Sequence, residues 1–161
     1  MTKTEQVKMG KSVIASGPII IQNKKMLVVL DDKDPFLKFP GGSLFKGKTL
    51  KETCILETKL EIKCDIGIIK ELEPMLLWKC LKIKDFRHPK NAKHFLGKPH
   101  TGEKIPVILI HWLAKIKKGQ KPSKGKHTKK IIWIDSHYKG YKLAPNVQYF
   151  LKKLKKEKKT N

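Results

Sequence analysis

The order of apolar segments predicts an α/β fold in which a mixed β-sheet carries helices on both faces. Three features lead there: short apolar runs rich in β-branched residues towards both ends of the chain, one capped helix between them, and an amphipathic helix near the C-terminus. The 161 residues suit one domain of ordinary size. Neither a repeat nor a second core is visible, so the reading is a single domain over residues 1–154 and a basic tail over 155–161.

Each element follows from local pattern. Ser12 to Ile21 and Met26 to Leu30 are apolar runs separated by Asn23-Lys24-Lys25, which reads as two strands and a tight turn. Asp31 to Pro35 has loop composition, and Phe36 to Phe39 reads as a short strand ending at Pro40-Gly41-Gly42. Thr49 and Glu52 have capping-box spacing, which starts a helix at Thr49. Leu50, Cys54, Ile55, Thr58 and Ile62 then recur near one face of it. Asp65 to Trp78 reads as one or two strands interrupted at Pro74, and Ile105 to Ile116 and Ile131 to Ile134 as further strands. Pro145 suits a first helical turn, and Val147, Phe150, Leu151 and Leu154 form one stripe that would dock on a sheet. The charged residues from Lys155 onward are expected to fray. Lys79 to Lys104 and Lys115 to Lys130 are lysine-rich and read as long surface loops.

Composition narrows the function classes. With 37 basic and 14 acidic residues, the net charge is +23. Such a field draws polyanions. Arg87 is the only arginine, and lysine lacks the bidentate fork that reads base edges, so phosphate contact is the expected mode. An AT-rich coding sequence would produce the same lysine excess. No apolar stretch is long enough to span a membrane and the first residues are polar, so the expected setting is cytoplasmic. Cys54, Cys64 and Cys80 lie in apolar periodic segments and read as small core residues rather than a disulfide or zinc framework. His88, His94 and His100 read as polar loop residues, and His111 as a core or cleft histidine. No Gly-x-Ser-x-Gly elbow occurs.

One segment carries chemistry: Phe39-Pro-Gly-Gly, a loop, and the helix bearing Glu57 and Glu61. Four residues apart, these glutamates share a helix face. Two carboxylates so placed suit a hard cation such as Mg²⁺, completed by water and substrate phosphate. The Gly-Gly turn allows backbone to approach them.

The segment resembles the Nudix box, G-x5-E-x7-R-E-U-x-E-E-x-G-U with U aliphatic. Gly42 takes the first glycine, Glu57 the glutamate of the central pair, and Glu61 the last glutamate. Leu72–Trp78, Val107–Ala114 and Leu143–Val147 also resemble segments of small Nudix proteins. The resemblance implies a Nudix-type α/β/α sandwich and a hydrolase of nucleoside diphosphate derivatives dependent on Mg²⁺ or Mn²⁺. Glu57 and Glu61 would ligate metal with the carbonyl of Gly41, and Lys48, Phe86, Arg87, Phe95 and Trp112 would contact substrate. The box also departs from the pattern: Lys48, Leu56, Leu60 and Lys63 replace its glutamate, arginine, glutamate and glycine, and Thr58 and Cys64 stand at aliphatic positions. A missing orienting partner weakens a metal site roughly 10–100-fold, and Leu60 is expected to put an apolar group where a metal-bound water would lie. The alternative reading is a scaffold that has lost its chemistry and binds RNA or another polyanion through its lysines.

Overall fold

The computed structural model describes residues 13–80, 94–96 and 104–160. One mixed sheet contains eight strands: β1 (Val13–Gln22), β2 (Lys25–Asp31), β3 (Gly42–Ser43), β4 (Ile66–Glu71), β5 (Met75–Cys80), β6 (His94–Leu96), β7 (Lys104–Ile116) and β8 (Thr128–Ile134). The helices are α1 (Leu50–Ile62) and α2 (Pro145–Thr160). The strand order is β6-β5-β7-β1-β2-β8, with β3 added to β1 and β4 to β7. Residues Val13 to Ile20 of β1 run parallel to Val107 to Ala114 of β7, and the other strand pairs are antiparallel.

The expected hairpin is present. Asn23 and Lys24 adopt φ of 50° and 63°, the double left-handed turn whose twist matches that of its strands. Alternation along β1 and β2 then divides the core. Ile19, Met26, Val28 and Leu30 face α2, packing with Val147, Phe150, Leu151 and Leu154. Ile20, Leu27 and Val29 face the other way, against Cys54 and Ile62 of α1. Helices therefore cover both faces, and the free thiols of Cys54 and Cys64 are buried.

Three local expectations change. Phe36 to Phe39 is not a strand but two isolated bridges, Leu37 to Leu143 and Lys38 to Val29. The pairing strand is Gly42–Ser43 instead, because Leu37 and Lys38 spend their hydrogen bonds on Val29, Lys142 and Ala144. Helix α2 runs on past Lys155 to Thr160. The loop at 115–130 shrinks to the span between Ile116 and Thr128.

That shortened loop is fastened to the C-terminal end of α1. The Gly125 N–H and Thr128 hydroxyl both donate to the Glu61 carbonyl, at 3.0 and 2.7 Å, and the Ser123 N–H donates to the Ile62 carbonyl at 2.9 Å. These bonds satisfy carbonyls that a helix end leaves without partners. Lys63, in the left-handed region at φ 55°, closes the helix. A Cβ on Gly125 would lie 1.8 Å from the Leu60 carbonyl oxygen. Gly125→Ala is therefore expected to cost about 1–3 kcal/mol of unfolding free energy, measured by urea denaturation. An unchanged midpoint would show that the loop does not rest on the helix.

Candidate active site

The site begins with a close approach of two backbones. Pro40 and Gly41 lie against Ser16 and Gly17 of β1, so tightly that a Cβ on Gly41 would meet the Ser16 oxygen at 2.5 Å and one on Gly17 the Pro40 oxygen at 2.1 Å. Gly41 also has φ 139°, a conformation closed to other residues. This contact sets the Gly-Gly turn beside α1.

The helix is aligned by its own chemistry. The Thr49 side chain accepts from the Glu52 N–H, and the Glu52 side chain accepts from the Thr49 N–H, a complete capping box. The Thr53 hydroxyl accepts from the Phe45 N–H at 3.2 Å, tying the intervening loop to the first turn. Thr53, Cys54, Thr58 and Ile62 are buried, which turns Glu57 and Glu61 towards the glycines.

Both glutamates line a cavity of about 440 Å³. The Gly41 N–H donates to Glu61 Oε2 at 2.6 Å, and the Glu57 carboxyl packs on Gly42, where a Cβ would lie 2.8 Å from it. Lys33, Asp34, Phe36, Lys38 and Phe39 form another part of the wall, with His111 and Asn146 also lining it.

Desolvation dominates the electrostatics. Burial pushes the Glu61 carboxyl up to about 8; the Gly41 hydrogen bond opposes this and the neighbouring Glu57 adds to it. Burial also raises Glu57, against the fields of Lys33 and Lys38. For Lys38, burial opposes the charge, but its hydrogen bond to Asp31 and the fields of Asp34 and Asp31 outweigh it, and its pKa is raised. Burial drives His111 down to about 4, keeping it neutral. With the Asn146 amide donating to its Nε2 at 3.2 Å, its proton sits on Nδ1, 3.4 Å from the Gly17 carbonyl. Phe39 and Phe150 box the ring edge-on.

Of the expected site residues, the fold brings Glu57, Glu61 and Gly41 together. Lys48 is exposed and outside the cavity, because the capping box places it before the helix, away from the glutamate face. Trp112 is also outside it; strand alternation turns the indole to the α1 side, where its N–H donates to Ser16 Oγ at 2.9 Å. Phe86 and Arg87 lie outside the described residues, as do His88 and His100. Phe95 pairs with Trp78 through the β5–β6 ladder, and its side chain lies outside the described set. Leu60 points away from the glutamates' cavity: it is 61% exposed, and neither it nor Leu56 lines the cavity. Sequence reasoning missed the Asp31, Asp34 and Lys38 cluster and the role of Asn146. Lys38, one residue before Phe39-Pro-Gly-Gly, was the available signal.

Among the described residues no group of three or more His, Cys, Asp or Glu side chains is placed to hold a metal. Two carboxylates whose pKa is raised by burial, in spite of the lysine charges nearby, fit a hard cation that keeps most of its waters.

No protein-family model matches the sequence, and no curated protein is detectably similar to it. Solved structures do match the fold. A MutT Nudix hydrolase from Burkholderia pseudomallei superposes with a TM-score of 0.58 over 88% of this chain and 97% of that one, at 13% identity. An ADP-ribose pyrophosphatase from Streptococcus suis gives 0.54 over 83% and 80%, at 16% identity. An Ap4A hydrolase from C. elegans gives 0.53 over 77% and 80%, at 18% identity.

The titrations work in opposite directions. Glu61, raised from 4.5 to about 8, binds its proton more tightly folded than unfolded, so its contribution to stability is full below 4.5 and is lost as pH rises towards 8. His111, lowered from 6.5 to about 4, makes the unfolded chain the better proton acceptor, so stability is lost as pH falls through that window. The urea midpoint of Glu61→Gln is expected to fall less than that of the parent between 4.5 and 8; parallel curves would show that Glu61 is hydrated.

With its mixed sheet, its two covering helices and the Gly-Gly turn set against the helix glutamates, the chain has the fold of the Nudix hydrolases.

Proposed function

We propose that the chain hydrolyses the diphosphate linkage of a nucleoside diphosphate derivative with the help of Mg²⁺ or Mn²⁺. The observation that carries this reading is the placement of Glu57 and Glu61 in one cavity against Gly41 and Gly42, on a Nudix fold. Solved structures with this fold include an ADP-ribose pyrophosphatase, an Ap4A hydrolase and a UDP-X diphosphatase, so a nucleotide derivative is the substrate class favoured here.

Glu57 and Glu61 would hold the metal, with Gly41 beside them; the bound ion supplies charge neutralisation for the diphosphate and an acidified water. The protein's own part is positional. Glu61, oriented by the Gly41 N–H, keeps a proton near neutrality until a cation displaces it. Glu57, the less buried of the two, accepts the proton of the attacking water. With only two carboxylates the site is weaker than a full box, so millimolar metal is the expected working range.

The second reading, RNA or polyanion binding, has its own support. No acidic residue occurs between Lys104 and Ile134, and the eight lysines from Lys115 to Lys130 are all exposed on a loop and strands held to α1. The array would contact phosphate without reading bases.

The test is a phosphate-release screen over nucleoside diphosphate derivatives with Mg²⁺ and Mn²⁺ titrations. Turnover is expected to require metal, to vanish in Glu57→Gln and Glu61→Gln, and to be accompanied by metal affinity that climbs with pH towards about 8, where Glu61 gives up its proton. Absence of both metal binding and turnover would refute the hydrolase reading. RNA affinity that persists in both variants and falls steeply with salt would establish the second.

A further inference from the structure

Lys38 is a cation built into the cavity wall. Its main chain is fixed on both sides: Lys38 and Val29 exchange N–H···O bonds at 2.8 and 3.0 Å, and Leu37 bonds to Lys142 and Ala144 at 2.8 and 2.9 Å. Its ammonium is then gripped by the Asp31 and Asp34 carboxylates, the latter at 3.0 Å. Asp31 is itself held, because its other oxygen accepts the N–H groups of Lys33 and Asp34, both at 2.9 Å. Nothing in this arrangement rests on long flexible arms meeting in water; the lysine side chain is only 26% exposed and lines the same cavity as Glu57 and Glu61.

The grip has a consequence for the cavity. A free ammonium beside two buried glutamates would pair with them and take the place of a metal. Asp31 and Asp34 hold it instead. They take two of its three N–H donors, so one remains for a ligand.

We propose that Lys38, clamped by Asp31 and Asp34, is the phosphate-positioning residue of the cavity, binding the diphosphate of the substrate while the clamp keeps it off Glu57 and Glu61. The nature of the ligand rests on the hydrolase reading; the anion site itself does not. Lys48 lies outside the cavity, and Lys33, which also lines it, is exposed where Lys38 is held by the two carboxylates.

The probe is inorganic pyrophosphate, titrated without metal into ¹⁵N-labelled protein while the Gly41 and Gly42 amide signals are followed. Saturable shifts are expected in the parent chain and in Lys139→Met, a control at an exposed lysine outside both the cavity and the 115–130 segment. In Lys38→Met the affinity read at these two amides should fall about tenfold or more, the loss of one charge-assisted hydrogen bond, and Lys38→Arg should restore part of it. If Lys38→Met does not fold, Asp34→Asn carries the test: it loosens the clamp and should weaken pyrophosphate binding severalfold. Equal affinity in a folded Lys38→Met, equal affinity in Asp34→Asn, or no response at Gly41 and Gly42 in the parent would overturn the assignment. Pyrophosphate binding through Lys38 without any turnover would leave this inference standing and remove the hydrolase one.

Discussion

The site depends on one contact between backbones. Pro40 and Gly41 sit on Ser16 and Gly17 with no room for a side chain at either glycine. Because β1 is held along its length by β7, the Gly-Gly turn inherits the rigidity of the sheet, and Gly41 can present its N–H to Glu61 at a fixed place. Helix α1 is the other partner in this arrangement. It is drawn onto the sheet by Cys54 and Ile62 and aligned at its start by the Thr49–Glu52 capping box. A side chain at Gly17 would push the turn away and leave the glutamates facing nothing.

Charge is arranged on two scales. At a distance the molecule is strongly cationic, which favours encounter with anions and would weaken with salt. Inside the cavity the charges are mixed. Glu57, Glu61 and Asp34 face Lys33 and Lys38 there, and the burial of the glutamates makes their charges costly until a cation arrives. An anionic ligand is thus attracted by the surface as a whole and meets both signs of charge within the cavity.

Much of the architecture was legible in the sequence because its causes are local. Thr49 and Glu52 announce the helix start within four residues, Asn23-Lys24 announces the hairpin, and the stripe from Val147 to Leu154 announces a docking helix. That Glu57 and Glu61 share one side of the helix was legible through their spacing, and the structure sets both in one cavity. What stayed hidden depends on contacts between distant segments. His111 meets Asn146 across 35 positions, and Thr128 meets Glu61 across 67. Lys48 and Trp112 were misplaced for a related reason: nearness to the box along the chain, or aromatic character, says nothing about which side of a helix or strand faces the cavity. Leu60 shows the same limit, since its outward direction was set by Thr58 and Ile62 turning inward.

Glu61 has two attachments of different kinds. Its carboxylate accepts from Gly41 in the cavity, while its main-chain carbonyl accepts from Gly125 and Thr128 of the lysine-rich loop. Only the first depends on its being glutamate. Chemistry and architecture are therefore separable at this residue. Another helix-compatible residue in place of the acid would take a carboxylate out of the cavity and keep the basic loop anchored where it is. Leu56 and Leu60, both outside the cavity lining, sit on a helix whose cap is complete.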